Sequence, residues 1–404
     1  MFTSRHLKSL LLLAASLLAL QPSAAAQSGR QQPPPLSPVP PEQPAPAPTP
    51  AGTTNFEGFR LVVSRGPDAF VRDLNEQGRL GYRVEKSVGY GNNTDGWTYA
   101  GLLRHEPGHT YEYAYDPLPD NLLYGHPLDY RGRQGYQLAG AYATVKCQPK
   151  QYGGDPEFER TEEILRTMFG TVRGNGFLFM RRAGAVAGTT RSYKLYRGTI
   201  GLGENLRETV QAAIEEAPPG FRPVRFLFAG NGTLGSELSV VLERDHGEAA
   251  PEGVRYRLVK GKRDLVKELN RLAAGGARYV AGGRIGPWKV ALVAEGWPGA
   301  SAYTFLDDHK AAKRFDQMVA AGYSYQGLMG GDPQCDFAEL VSQKLVLARE
   351  AGGPSRRYKH LSLPEPRAGK PPTAALAELQ RLTGEGFRVR ELFYSYGLHL
   401  ILEK

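Results

Sequence analysis

Cysteine is almost absent: Cys147 and Cys335 are the only two in 404 residues. That excludes zinc modules built on closely spaced cysteine pairs. An HExxH helix, a dinucleotide-binding glycine fingerprint and a GxSxG nucleophile elbow are also missing, so the protease, Rossmann and serine-hydrolase classes lack their mechanical parts. No dense basic run with interleaved aromatics occurs, and no nucleic-acid partner is expected. The net charge is +9, of which Arg5 and Lys8 contribute +2. The remaining +7 is mild for this length and fits a weak preference for anionic surfaces.

Long apolar runs are confined to the start. Arg5 and Lys8 precede SLLLLAASLLAL, a run too short for an ordinary membrane span, and PSAAA supplies small residues before Gln27. Residues 1–26 therefore read as a cleavable secretory signal peptide. No cysteine follows the run, which closes a lipoprotein route, and no membrane span is expected in the mature chain. Gly, Ala, Pro and Arg richness fits an exported bacterial protein, periplasmic or secreted. Residues 27–54 are Pro-rich, with QQPPPLSPVPPEQPAPAPTP at the centre. Proline lacks the backbone donor, so this stretch reads as an extended, solvated linker without helix or sheet interior. A docking ligand for a partner is its alternative reading.

The rest of the chain is organised like Val254–Glu295. YRLV alternates apolar and polar positions, as a half-buried strand does. Leu265, Val266, Leu269 and Leu272 then form one apolar stripe on a charged helix. Gly275-Gly276 ends that helix, because glycine enters the left-handed conformation without strain. Two strands follow, ARYVAGG and WKVALVAE. The unit predicts a small layer with one sheet face under a helix and the other face open.

Three landmarks recur in the same order six times. The helix-ending glycines are Gly81, Gly135, Gly220, Gly276, Gly322 and Gly386, at spacings of 54, 85, 56, 46 and 64. Opening strands are FRLVV, YEYAY, YKLYR, YRLV, YTFL and YKHLSL; closing strands are YAGLLR, FLFMRR, LSVVLER, VALVAE, KLVLAR and LHLILEK. This predicts an α+β fold of about six tandem β-α-β-β repeats, with mainly antiparallel sheets, each covered by a helix. Repeat 1 spans 56–108, repeat 2 spans 109–188, repeat 3 spans 190–248, repeat 4 spans 252–298, repeat 5 spans 300–351 and repeat 6 spans 355–404. In repeat 2 the helix at NLLYGHPLDYRG reads as irregular because of Pro127, and an extra helix is expected between Cys147 and Gly176. Short Gly/Pro links such as HEPGH and GWPGAS predict neighbours that share a sheet or pack edge to edge.

The landmarks resemble a small bacterial domain family of unknown function whose members are single β-α-β-β units. Its pattern is an aromatic-x-aromatic strand, a Leu-rich helix, a Gly-aromatic step and a final apolar strand ending in a basic residue. The family's Trp after glycine is Tyr, Phe or Ala here. The resemblance implies the unit's fold and transfers no catalytic residue.

Candidate chemistry is sparse. His105 and His109 are a candidate metal pair, but Pro107 and Gly108 between them forbid a helix, and Glu106–His109 reads as a type II turn. Gly198, Gly201 and Gly203 precede a helix expected near Asn205, without the Lys-Ser/Thr of a phosphate loop and with Glu204 at its start. His126 and Asp129 flank the region of Tyr130 with no nucleophile on a sharp turn. Tyr111, Tyr113, Tyr193, Tyr256, Tyr303 and Tyr358 read as core and sheet surface. No catalytic residue and no cofactor site is assigned. Cys147 and Cys335 are expected to form a disulfide, because export leads to an oxidising compartment and GGDP accompanies both segments, hinting that repeats 1–3 duplicate 4–6. Two separate thiols are the alternative.

These features point to a non-enzymatic exported binding or scaffolding module of the cell envelope, because repeats build extended surfaces more readily than one reaction centre. Its expected partner is an envelope protein or an anionic polymer. An envelope enzyme with a site between repeats, or an assembly factor for surface machinery, are the alternatives.

Overall fold

In the computed structural model the described residues are 58–92, 96–117, 127–143, 175–184, 191–200, 211–212, 214–215, 219–230, 236–247, 253–261, 264–285, 288–296, 300–330, 344–350, 356–364, 372–394 and 397–404. The stretches read from sequence as signal peptide, Pro-rich linker and extra helix of repeat 2, and both cysteines, lie outside them.

Among the described residues the fold is α+β, with eighteen strands and five helices in small, mostly antiparallel sheets. The strands fall in threes. The first group is β1 (Phe59–Arg65), β2 (Tyr82–Asn92) and β3 (Gly96–His105), with α1 (Pro67–Arg79) after β1. The second is β4 (Tyr111–Pro117), α2 (Pro127–Arg133), β5 (Gln137–Ala143) and β6 (Asn175–Arg182). The third is β7 (Arg191–Ile200), β8 (Arg222–Gly230) and β9 (Ser236–Asp245). The fourth is β10 (Arg255–Gly261), α3 (Leu265–Ala273), β11 (Arg278–Ile285) and β12 (Trp288–Glu295). The fifth is β13 (Ala300–Asp307), α4 (Asp308–Ala320), β14 (Tyr323–Met329) and β15 (Lys344–Glu350). The sixth is β16 (Tyr358–Leu363), α5 (Thr373–Gly384), β17 (Arg388–Tyr394) and β18 (Leu398–Glu403).

In every group the last strand lies in the middle and pairs antiparallel with the other two. The middle strands are the continuous apolar runs of the sequence. A strand buried on one face alternates, whereas one buried on both reads as unbroken hydrophobicity. Val290 and Leu292 pack toward the third group, and Ala291 and Val293 toward the fifth. Leu345 and Leu347 face the sixth group while Val346 and Ala348 face the fourth. The expectation of one open sheet face is therefore corrected: both faces of the middle strands are covered.

The resulting cores form a closed circuit. One joins Phe70, Leu74 and Tyr99 of the first group to Tyr113 and Leu178 of the second. The next joins Leu128 and Phe179 to Tyr193 and Val241, and the third joins Ile214 and Val240 to Leu258 and Leu292. Further cores link the fourth group to the fifth and the fifth to the sixth. The last joins Phe59, Tyr90 and Leu102 of the first group to Leu379, Leu392 and Leu400 of the sixth. Tyr90 stacks on Tyr394 there, ring centroids 4.0 Å apart and 9° from coplanar.

Local chemistry explains the units. Gly81, Gly135, Gly220, Gly276, Gly322 and Gly386 all have φ between 81° and 93°, so each helix-to-strand step needs the left-handed conformation read from sequence. Three to five residues later, the register shifts in all six pairings: between Val84 and Lys86, Leu138 and Gly140, Pro223 and Arg225, Tyr279 and Ala281, Tyr325 and Gly327, and Val389 and Glu391. A bulge bends its strand and re-aims the next side chain. Pro127 corrects another expectation. It opens α2 instead of disrupting it, since the first turn needs no donor from that residue. Sheet sharing is also narrower than expected. Among the described residues only the fourth and fifth groups join in one six-stranded sheet, through a single parallel pairing of Gly282 with Met329.

Helices clasp the next group. Asn75 of α1 donates to the Tyr113 carbonyl at 3.0 Å and accepts from the Tyr113 N–H at 2.8 Å. Asn270 of α3 makes the same pair with Tyr303. Asp129 of α2 accepts from the Tyr193 N–H at 3.1 Å. Gln211 donates to the Tyr256 carbonyl at 3.2 Å and accepts from the Leu258 N–H at 2.9 Å. Each opening strand would otherwise present bare edge groups, and these side chains satisfy them.

Candidate functional site

The second strands of the groups face one another. β2 approaches β5 and β17, β8 lies between β5 and β11, and β11 adjoins β14. The side chain after each bulge is aimed by the same local kink. In chain order those residues are Lys86, Gly140, Arg225, Ala281, Gly327 and Glu391. Three are charged and three are small, an arrangement that leaves room beside the charges.

Lys86 is half-buried on β2. Burial pulls its ammonium below the ordinary lysine value; Glu391 opposes that, and Arg225 and Arg390 reinforce it. Four side chains from the first, third and sixth groups therefore share one electrostatic neighbourhood. Glu391 also accepts a hydrogen bond from the Tyr325 hydroxyl of the fifth group at 3.3 Å. Burial first, and then the Glu391 charge, hold the Tyr325 and Tyr279 phenols well above the usual range. Tyr279 donates to the Leu328 carbonyl at 2.8 Å, tying β11 to β14.

On the β5 side, Tyr142 is buried and its phenol is raised, by burial first, with Ser87 and Arg225 pulling it down. Its hydroxyl lies near Ser87 but makes no well-formed hydrogen bond among the described residues. A Cβ at Gly140 would stand 2.5 Å from Ser87 Oγ and 2.6 Å from Tyr142 Oη. Glycine is what lets these two hydroxyls close on each other.

The sequence candidates sit elsewhere. Glu106–His109 is a type II turn: His109 N–H donates to the Glu106 carbonyl at 3.3 Å and Gly108 has φ of 77°. His105 packs its ring against Tyr82, centroids 4.9 Å apart. Among the described residues no group of three or more His, Cys, Asp or Glu side chains could hold a metal ion. Gly198 lies within β7, while Gly201, Gly203, Glu204, Asn205 and His126 are outside the described residues. Asp129 serves the strand clasp, and Tyr130 is exposed. Tyr111, Tyr113, Tyr193, Tyr303 and Tyr358 are buried core, with Tyr256 partly so.

Sequence reasoning missed the inner set. Its signal is positional: each residue lies five places after a helix-ending glycine. Only glycine occurs there more than once, at Gly140 and Gly327, so no motif appears. A second cluster also escaped notice. His360 on β16 and His399 on β18 lie 3.1 Å apart through their ring nitrogens, and His399 stacks on Phe393.

Comparison with family models, curated proteins and solved structures finds no match. Among the described residues no helix is long and apolar enough to cross a membrane. The inner set can pair charges and donate hydrogen bonds. It contains one carboxylate and no nucleophile–base pair.

Proposed function

We propose that the chain is an exported, non-enzymatic repeat protein of the cell envelope, built from six degenerate β-α-β-β copies, that binds a ligand on the surface lined by its second strands. The resemblance to single β-α-β-β domains of unknown function belongs to this reading, as do the signal peptide of residues 1–26 and the linker of 27–54. One observation carries it: Lys86, Arg225 and Glu391 come from three different groups at the same post-bulge position and share one neighbourhood. Structural packing alone would favour apolar residues at Lys86 and Glu391, because a half-buried charge costs desolvation energy. Recognition supplies a reason to keep them.

The test is retention on the immobilised mature chain of components from envelope extracts, with and without residues 27–54. The reading expects a saturable protein or anionic polymer to be retained by both forms. Retention of nothing above a blank column contradicts it.

A second reading is an envelope enzyme with its site between repeats. It is favoured by the Lys86 shift beside Glu391, since perturbed titrating groups gather at reaction centres. Turnover of an envelope substrate that is abolished in Glu391→Gln would replace the binding reading.

A further inference from the structure

We infer that His360 and His399 form a binding site for a divalent transition metal of the imidazole-preferring kind, represented by Zn2+, with the Ser362 hydroxyl beside it and the remaining positions open to water or to a ligand. Neither histidine lies on a second strand, so the site goes beyond the binding reading above and stands or falls without it.

Position in the repeat is the first argument. In each group one opening-strand residue pairs with the closing-strand residue that faces the post-bulge side chain. In chain order these are Leu61, Tyr115, Leu195, Leu258, Phe305 and His360. The first five pack into a core shared with a neighbouring group. Only the sixth group places an imidazole there, and that imidazole meets a second one. An imidazole costs more to bury than those side chains, so packing alone does not account for the pair.

Geometry is the second argument, independent of the repeat. His360 Nε2 and His399 Nδ1 lie 3.1 Å apart, and Ser362 Oγ lies 3.2 Å from the same His399 nitrogen. Two nitrogens held at about 2.0–2.1 Å by a tetrahedral zinc ion stand about 3.3 Å apart, so the pair opens by only a few tenths of an ångström to admit one. The sheet holds the donors in place. Ser362 pairs with His399 across β16 and β18, and His360 lies two places along the same face. Phe393 stacks on the His399 ring, centroids 5.2 Å apart. His399 Nδ1 carries either a proton or a lone pair, so its two neighbours compete for one atom. A cation between the rings would take a lone pair from each and leave the hydroxyl to a bound water. Among the described residues no third His, Cys, Asp or Glu completes the set, which leaves positions open as closed structural sites do not.

Metal ligation needs neutral imidazole. Burial first, and then the His399 ring, bring the His360 pKa from 6.5 down to about 4, so the ring is neutral at neutral pH and has a lone pair to offer.

The test titrates the mature chain, free of any histidine tag, with Zn2+, Cu2+ and Mg2+ by isothermal calorimetry at neutral pH. One Zn2+ per chain is expected, with Cu2+ bound more tightly and Mg2+, which prefers oxygen donors, not bound. His360→Gln and His399→Gln should each weaken Zn2+ binding at least tenfold. His246→Gln, a change at an exposed histidine outside the pair, should leave it unchanged. Should one variant of the pair not fold, the other carries the comparison. The wild-type Cu2+ adduct gives a readout without mutation: its electron paramagnetic resonance should show two coordinated imidazole nitrogens. No Zn2+ binding by the folded wild-type chain, equal affinity in a folded variant of the pair and in His246→Gln, or a Cu2+ spectrum without paired imidazoles overturns the inference.

Discussion

The Tyr113 hydroxyl accepts the Val84 N–H at 2.9 Å and donates to the Tyr82 carbonyl at 2.8 Å, so a side chain of the second group closes the bulge of the first. Tyr303 does the same for Tyr279 and Ala277, and Tyr193 accepts the Leu138 N–H at 2.9 Å. In each case the donor is the residue three places after the helix-ending glycine, where the register is about to slip. The next group thus fixes the kink that aims the inner side chain.

Tyr113→Phe removes that hydroxyl and leaves the Val84 N–H buried without its partner. The expected loss is about 1–3 kcal/mol, the cost of an unsatisfied buried donor. Urea denaturation checks it; a midpoint unchanged from wild type would mean the bond is not formed.

Asn75→Ala should cost a similar amount, about 1–3 kcal/mol, because both bonds to the β4 edge disappear. Alanine is the better helix former, which offsets a few tenths. Asn75→Asp keeps the acceptor for the Tyr113 N–H and loses the donor to its carbonyl. Its midpoint should fall between the other two.

Gly276 and Gly275 separate two roles at one helix end. Gly276 has φ of 82°, so Gly276→Ala should lose about 1–2 kcal/mol. Gly275 lacks a positive φ, and a Cβ there meets only the Leu272 carbonyl at 3.4 Å. Gly275→Ala should stay within about 0.5 kcal/mol of wild type. Thermal melts of the pair decide this, and equal losses would remove the cap assignment.

His360 makes stability pH-dependent. Burial first, then the His399 ring, bring its pKa down from 6.5 to about 4, while Asp316 pulls it up. The unfolded chain binds a proton near pH 6.5 that the folded chain takes up only near pH 4. The contribution is therefore complete above about pH 6.5 and lost progressively as pH falls to about 4. Ser362 and Phe393 also border the pair through His399. His360→Gln should flatten denaturation midpoints across this window, and an unaltered slope would contradict the shift.

Much of the layout was legible because it rests on local chemistry. Gly81 through Gly386 announce themselves by type and by position after a Leu-rich helix. The closing strands announce burial by unbroken hydrophobicity. Their burial on both faces is not read from it: the sequence predicts one open sheet face, and the packing of alternate residues of VALVA into two cores shows both covered. The inner site was not legible. Lys86, Arg225 and Glu391 share a position without sharing chemistry, and a bulge carries no residue signature of its own. The strand clasps lie between these cases. Asn75, Asp129 and Asn270 each stand six places before a landmark glycine, but the third group uses Gln211 instead. His105 and His109 drew attention as residue types, and their environment is a turn and an aromatic contact.

Closure of the circuit is the claim on which the inner site depends, since Lys86 and Glu391 come from the first and last groups. Placing the photo-crosslinker p-benzoylphenylalanine at Tyr394 tests it directly. Irradiation of the monomeric chain, followed by proteolysis and mass spectrometry, should give an intramolecular cross-link to the β2 peptide that contains Tyr90. Cross-links confined to the fifth and sixth groups, with none to β2, would show an open array and contradict the account.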